Sequence, residues 1–367
     1  MAQANKVAEM AHQALRDNVP ITKRDIFYGD IPLFGKQSVV DILVDDLAAT
    51  WGLRRADLNI RAALKGVFFG SCLTLYLSHG EIVRGLDHEG TLVPVGEDIV
   101  KVEIDERCCW ALVVEKEAVF QTLVQLGFAS KHSDIGPGIV ITGKGYPDLA
   151  TRQLVAVLSM QLPEQQVVPL LALVDGDPHG LEILATYLLG SKSMAHENDQ
   201  LVAPRLEWIG VTIEDIEELD IDSSKMIELS SGDRRKARTY MLDNPDLPEE
   251  FATQLEKMLD TGLKAEIEVV SATRASGPHA SGGSRALDQY LHDKLAAVLG
   301  RVKEESQDII KLESLSPCSS SPASPGASPK LEPQEFSPLG SQQSHSSLEH
   351  DGEGPLDTEY LDFDDDF

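Results

Sequence analysis

Asp175 and Asp177 stand on either side of one glycine, where the apolar run Leu170–Val174 ends. The surrounding segment, LLALVDGDPHGLEI, reads as a strand, an acidic turn and the start of a helix. Buried parallel strands are unbroken apolar runs, and open α/β sheets carry their chemistry just beyond the strand ends. Carboxylate oxygens in that place suit a hard cation such as Mg²⁺. A plainer reading stays open: an Asp-rich turn in which Asp177 caps the helix. Glu115 ends another strand-like run, in LVVEKEAVF. Adjacent parallel strands open on one edge, so Glu115 can meet the aspartate pair although 60 residues separate it from Asp175. Three convergent carboxylates repel one another without a cation, which strengthens the Mg²⁺ reading. The alternative for Glu115 is a helix-start acid favoured by the helix dipole. Glu117 lies inside the next helix and is the weaker ligand candidate.

The segment ITGKGYPDLATR follows a second strand-like run. Gly143 and Gly145 permit close backbone approach, and Lys144 offers a charge to a phosphate. Tyr146 is either a hydrogen-bond donor to that phosphate or a packed turn residue. Arg152 reads as a surface charge on the following helix.

These residues need elements to hold them. From Trp110, strand-like Ala111–Val114, Ile139–Thr142, Leu170–Val174 and Leu206–Ile209 alternate with helical Glu117–Gly127, Asp148–Leu162 and Gly180–Leu189. That alternation predicts an α/β domain on a mainly parallel sheet with right-handed crossovers. Upstream, Val7, Met10, Ala11, Ala14 and Leu15 form one helical stripe. Thr22 is a candidate N-cap for a helix over Lys23–Tyr28, Gln37–Trp51 is a third helix and Asp57–Leu64 a fourth. With strand-like Val67–Leu77 and Thr91–Val95 they predict a helix-turn-helix with a β wing. Leu263–Val270 reads as a helix, the Gly/Ser-rich Ser276–Ser284 as a surface loop, and Asp288–Ile310 as a helix.

With 367 residues and 42% hydrophobic content, the chain has room for about two domains and a tail. It has no apolar run long enough for a transmembrane helix, so no membrane partner is expected. Its first residues lack the basic start and apolar centre of a signal peptide. Four cysteines, Cys72, Cys108, Cys109 and Cys318, show neither metal-ligand nor disulfide spacing; a reducing compartment is the default. A net charge of −28 argues against a generic nucleic-acid binder. From Ser314 onward there are 11 acidic residues and one basic, yet the remainder is acidic too. Any DNA site must therefore be a local basic surface. The same segment is rich in Ser-Pro and ends DTEYLDFDDDF, a composition that predicts disorder. Its Ser-Pro pairs are candidate phosphorylation sites, and its acidic–aromatic end is a candidate partner motif.

Glu after a first strand and Asp-x-Asp after a third resemble the Toprim domain of topoisomerases, primases and related nucleases. ITKRDIFYGDIPLFGKQSVVDILVDDLA, LNIRAALKGVFFG, VDGDPHGLEI, GSKSM and KAEIE together resemble the meiotic double-strand-break transesterases and their relative, the A subunit of topoisomerase VI. The similarity runs from about residue 6 to 310, outside the 276–284 insertion.

The resemblance implies a short winged-helix (CAP-like) DNA-cleavage domain over residues 1–100. It implies a Toprim domain with C-terminal helices over 101–313, followed by a disordered acidic tail over 314–367. It makes Tyr28 the nucleophile toward a DNA phosphodiester. A phenol, with an ordinary pKa of about 10, needs positioning and charge stabilisation to attack. Arg24, one turn earlier on the same face, would hold the phosphate. Mg²⁺ on Glu115, Asp175 and Asp177 would stabilise the leaving sugar oxygen. The products would be a 5′-phosphotyrosyl link and a free 3′-hydroxyl, without ATP in the chemical step. Lys23, Lys65, Lys144, Tyr146 and the cluster Arg234, Arg235, Lys236, Arg238 are candidates for backbone contacts with little base preference; a solvated helix face is the alternative for the cluster. Implied partners are double-stranded DNA, a second copy of the chain, a topoisomerase-VI-B-like protein and other meiotic break factors, on chromosomes in the nucleus. Only 27 residues precede Tyr28, fewer than the resemblance leads one to expect. Two rival readings accompany meiotic break formation. One is a type VI A subunit of an ATP-hydrolysing topoisomerase with an ATP-driven B subunit. The other is a non-catalytic DNA-binding scaffold.

Overall fold

A computed structural model describes residues 1–61, 64–162, 168–191, 200–245, 247–271 and 283–315, without the side chains of Ser223 and 305–315. The expected tail lies outside these residues from 316 onward, as do most of the Gly/Ser-rich segment and part of GSKSM.

Residues 1–61 form a helical unit with its own core. Helices α1 (Ala2–Asp17), α2 (Lys23–Gly29), α3 (Ile31–Phe34) and α4 (Gln37–Trp51) surround Val7, Ala11, Ile26, Phe34, Val40, Val44 and Ala48. The spacing of the buried residues in α1 and α4 is that of one helical face. Strand β1 (Ile21–Thr22) pairs in parallel with β2 (Ile60–Arg61). The helix expected over Asp57–Leu64 is instead one 3₁₀ turn, Ala56–Leu58, ended by Asn59 in the left-handed conformation at φ 54°. Ile60 then goes into the helical core rather than onward in a helix.

The central sheet has six strands: β3 (Val67–Phe69), β6 (Thr91–Leu92), β8 (Trp110–Val114), β9 (Gly138–Thr142), β10 (Leu170–Leu173) and β11 (Leu206–Gly210). Their order is β11-β10-β8-β9-β3-β6. The four strands read from the apolar runs are parallel, and β3 and β6 extend the sheet in antiparallel fashion. Alternate residues of each strand go to opposite faces. Ala111, Val113, Ile139, Ile141 and Ala172 face α7 (Leu149–Gln161), α8 (Pro178–Leu188) and α11 (Glu249–Thr261). Leu112, Val114, Val140, Leu171 and Leu173 face α5 (Glu117–Leu126) and α13 (Ser284–Leu315).

The expected wing is different in kind. Val67–Leu77 is two strands, broken at Gly70, whose φ of 115° turns the chain out of the sheet. Its first part, β3, joins the central sheet. Its second, β4 (Leu73–Leu77), pairs with β5 (Ile82–Arg84) and β7 (Ile99–Ile104) in a separate three-stranded sheet. The central sheet thus takes strands from both sides of residue 100. Three short helices (α6, Phe128–Lys131; α9, Ile213–Glu218; α12, Glu268–Ser271), the longer α10 (Ser231–Asp243) and the antiparallel pair β12 (Ile227–Glu228) and β13 (Leu263–Lys264) are the remaining α-helices and strands of the described residues. No described helix is long and apolar enough to cross a membrane.

Leu263–Val270 is not the expected helix. Leu263–Lys264 is a strand, Ala265 bridges to Gly176, and only Glu268–Ser271 is helical. Ala265 and Ile267 are buried on either side of half-buried Glu266, so the extended part of the segment follows a period of two. This extended stretch lies along the acidic strand end.

Candidate active site

Backbone pairing brings three strand ends together at one edge. Glu115 follows β8 directly, and its N–H donates to the Leu173 carbonyl at 3.0 Å. Its own carbonyl accepts from Thr142 Oγ1 at 3.1 Å and from the Gly145 N–H at 2.9 Å, which fastens the GKG turn beside it. Its side-chain Oε2 accepts from the Asp175 N–H at 2.8 Å. Glu115 and Asp175 therefore converge as their strand positions imply.

Each aspartate is 7% exposed or less and each is held at both oxygens. Asp175 Oδ1 accepts from the Ile267 N–H at 2.8 Å, and Oδ2 lies 3.0 Å from Lys116 Nζ. Asp177 Oδ1 accepts from the N–H groups of His179 and Gly180 at 2.9 and 2.8 Å, capping α8; Oδ2 lies 3.4 Å from Lys264 Nζ. Asp177 is thus a helix cap with one oxygen still turned to the site. Gly180 is needed for this packing, since a Cβ there would stand 2.3 Å from the Asp175 carbonyl oxygen.

The electrostatics of the edge are those of buried like charges. Burial, then the Asp175 charge, pushes the Glu115 carboxyl up to about 8. Burial also lifts Asp175, to about 6, against the opposing pull of the Ile267 N–H and Lys116. Two lysines supply compensation. Lys116 also meets Glu266 and Glu268, at 3.3 and 2.7 Å, and Lys264 also meets Asp233 at 3.3 Å. Burial works against both ammonium groups, but their carboxylate partners outweigh it and hold them protonated. An oxygen-preferring divalent cation fits this donor set, because it would provide the same compensation at shorter range. The edge is nevertheless no closed cage. Among the described residues, the group of ligand atoms that all lie within 4.8 Å of one another is elsewhere, at His132, Asp134 and His292. At the acidic edge, Lys116 and Lys264 stand beside one oxygen of each aspartate.

Lys116, Lys264, Glu266, Glu268 and Asp233 are not among the sequence candidates. The alternation of Lys264, Glu266 and Glu268 with buried apolar residues is the signal that points to the last segment.

The phosphate candidates occupy the rim. Lys144, in a left-handed turn at φ 55°, pairs with Glu117 at 2.8 Å. Lys65 Nζ reaches the Lys144 carbonyl at 3.4 Å, and its backbone N–H donates to Asp148 at 2.7 Å. Tyr146 is 43% exposed, and its hydroxyl donates to Glu182 on α8. Arg152 corrects the surface reading: it is 3% exposed and reaches Ser191 at 3.4 Å. In the basic cluster on α10, Lys236 pairs with Glu182 at 2.7 Å, while Arg235 and Arg238 are exposed.

The nucleophile candidate belongs to the helical unit. A reciprocal capping box between Thr22 and Asp25 starts α2. Ile26 anchors the helix in the core and Phe27 packs against it, while Tyr28 is 66% exposed on the outer side. Arg24 is exposed one turn earlier and makes no ion pair or hydrogen bond among the described residues. Lys23 is different: it bonds Asp45 at 2.9 Å and the Asp41 carbonyl at 3.2 Å, both on α4. That engagement fixes α2 against α4. Neither Tyr28 nor Arg24 bonds to the acidic edge of its own chain.

Residues 110–294 match the family profile for the Toprim domain of topoisomerase 6 A subunits and Spo11. Residues 1–60 match one described as type IIB DNA topoisomerase. The chain is 33% identical over 270 residues to the A3 subunit of DNA topoisomerase 6 from Oryza sativa subsp. indica, covering 73% of this chain and 59% of that one. It is 34% identical over 272 residues to meiotic recombination protein SPO11 of Homo sapiens, covering 72% and 65%. With meiotic recombination protein SPO11-1 of Oryza sativa subsp. indica the identity is 34% over 276 residues, covering 74% and 69%. The chain belongs to the family of Spo11 and the topoisomerase 6 A subunits. It spans about three fifths of the length of the first two of these relatives. Within the family's Toprim domain lies the whole acidic edge, Glu115 to Lys264, and within its N-terminal domain lies Tyr28.

Proposed function

We propose that this protein makes DNA double-strand breaks by tyrosine transesterification and so initiates meiotic homologous recombination. The observation that carries the reading is Tyr28. It is presented outward on a capped and anchored helix, one turn from an uncommitted arginine, in a chain that also carries a three-carboxylate edge. The phenol oxygen bonds to the phosphorus and its proton is released. The 3′ oxygen leaves and takes up a proton. One phosphodiester replaces another, so the step consumes no ATP. Arg24 orients the phosphate and balances the charge that develops on it. Glu115, Asp175 and Asp177 would hold Mg²⁺, which supplies charge neutralisation at the phosphate and leaving oxygens. Lys65, Lys144 and Tyr146 track the DNA backbone on the rim of the same edge.

Tyr28 makes no bond to the acidic edge of its own chain, which supports a homodimer in which each tyrosine serves the other copy's edge. Two such centres cut both strands. A topoisomerase-VI-B-like protein and other meiotic break factors complete the assembly, on chromosomes in the nucleus.

Identity to a topoisomerase 6 A-type relative favours a second reading, strand passage with an ATP-driven B subunit. Supercoiled DNA incubated with Mg²⁺, with and without a B-like partner, separates the two. Linear DNA carrying protein on its 5′ ends without ATP is the expected product. Relaxed circles that require ATP would favour the topoisomerase, and DNA binding without a covalent product would favour a non-catalytic scaffold.

A further inference from the structure

At the opposite, N-terminal edge of the parallel strands, the segment after α6 meets α13. His132 and Asp134 come from that segment, just before β9, and His292 from the helix. One ligand atom from each lies within 4.8 Å of those of the other two. The two imidazole rings are 4.8 Å apart, and each side chain of the histidine pair is 20% exposed. We propose that His132, Asp134 and His292 bind one divalent transition-metal ion of the Zn²⁺ type, separate from the acidic edge.

The outer contacts of the two rings support this assignment. His132 Nε2 lies 3.0 Å from Asp288 Oδ1, whose other oxygen pairs with Lys131 at 2.6 Å. His292 Nδ1 lies 3.1 Å from Asp293 Oδ1. Each imidazole thus has one nitrogen engaged by a carboxylate outside the trio. Metal-bound histidines are held in the same way, with the second nitrogen donating to a carboxylate that fixes tautomer and ring orientation. His132 Nδ1 and His292 Nε2 remain to ligate, with Asp134 as the third donor. His292 Nε2 lies 2.7 Å from Asp134 Oδ2, a hydrogen bond that an ion would replace as the two atoms move apart to ligate it.

The donor set selects the ion. Two imidazoles and one carboxylate suit Zn²⁺ and its neighbours, whereas Mg²⁺ prefers oxygens alone. A fourth position is left to water. The consequence is structural: the ion joins a loop to a helix 158 residues later in the chain, clamping α13 onto the sheet. Binding would raise the melting temperature as ion concentration rises.

The test is calorimetric titration of Zn²⁺ into the untagged, chelator-treated full chain with Mg²⁺ saturating, repeated with Co²⁺ to read its visible absorption. One equivalent is expected, with a rise in melting temperature and a Co²⁺ spectrum of low-coordinate, nitrogen-ligated type. His132→Ala and His292→Ala should each weaken binding by about 100-fold or more, and Asp293→Asn by about 10-fold. Asp134 is 64% exposed, so Asp134→Asn tests the site without threatening the fold; its metal-free melting temperature should equal wild type while its response to Zn²⁺ is lost. Absence of saturable binding would overturn the proposal. So would binding that survives in both histidine variants, whether it then depends on the buried Cys72 and Cys108 or on Glu115.

Discussion

Tyr28→Phe is expected to abolish the covalent protein–DNA adduct and to reduce cleavage by on the order of 10⁴-fold or more, the scale at which removing a nucleophile acts. The substitution deletes one oxygen from a side chain that is 66% exposed and makes no hydrogen bond among the described residues. The ring's tilted contact with Phe27, 5.4 Å between centroids, is retained. Folding should be untouched, and the melting temperature should match wild type within about a degree, as for other exposed substitutions. DNA affinity should also persist, because the rim lysines are unaltered. A purified Tyr28→Phe protein that still forms the adduct at wild-type yield would remove Tyr28 as the nucleophile.

Asp175→Asn should reduce Mg²⁺-dependent cleavage by about 10³-fold, since a metal contributes several kcal/mol to such a transition state. It is a sharper test of the edge than the same change at Asp177. Asn retains an acceptor for the Ile267 N–H, and it removes a charge that burial already disfavours. The ion pair with Lys116 is lost in exchange, but Lys116 keeps Glu266 and Glu268, so stability should change little while activity falls. At Asp177 the two effects are mixed, because Asn still caps α8 through its oxygen but removes a carboxylate charge that the helix N-terminus and Lys264 favour, worth about 0.3–1 kcal/mol. If Asp175→Asn cleaved DNA at the wild-type rate with the same Mg²⁺ requirement, the ion would be held elsewhere.

Periodicity is informative wherever local pattern and tertiary burial agree. The four parallel strands are apolar throughout because both faces are covered, and Thr22 and Asp25 are near enough in sequence for their capping box to be read locally. Leu263–Val270 misleads because Lys, Ala and Glu favour helices, while its partner in an extended pairing, Gly176, is remote in the chain. Val67–Leu77 misleads because a strand-like run gives no sign of which sheet each half will join; Gly70 marks the break. The acids at the edge of the parallel strands are legible from their place after strands. The lysines opposing them are not, since Lys116 and Lys264 owe their role to packing across elements. Arg152 escapes a sequence reading for the same reason, as its burial follows from packing around α7.

Cooperation between Tyr28 of one copy and the acidic edge of another is tested most directly by mixing Tyr28→Phe protein with Asp175→Asn protein, each inactive alone. A mixed dimer would contain one doubly disabled centre and one intact centre. The predicted product is nicked DNA with protein joined to a single 5′ end. If the mixture stays as inactive as its components while its protomers demonstrably exchange, tyrosine and carboxylates do not combine across copies.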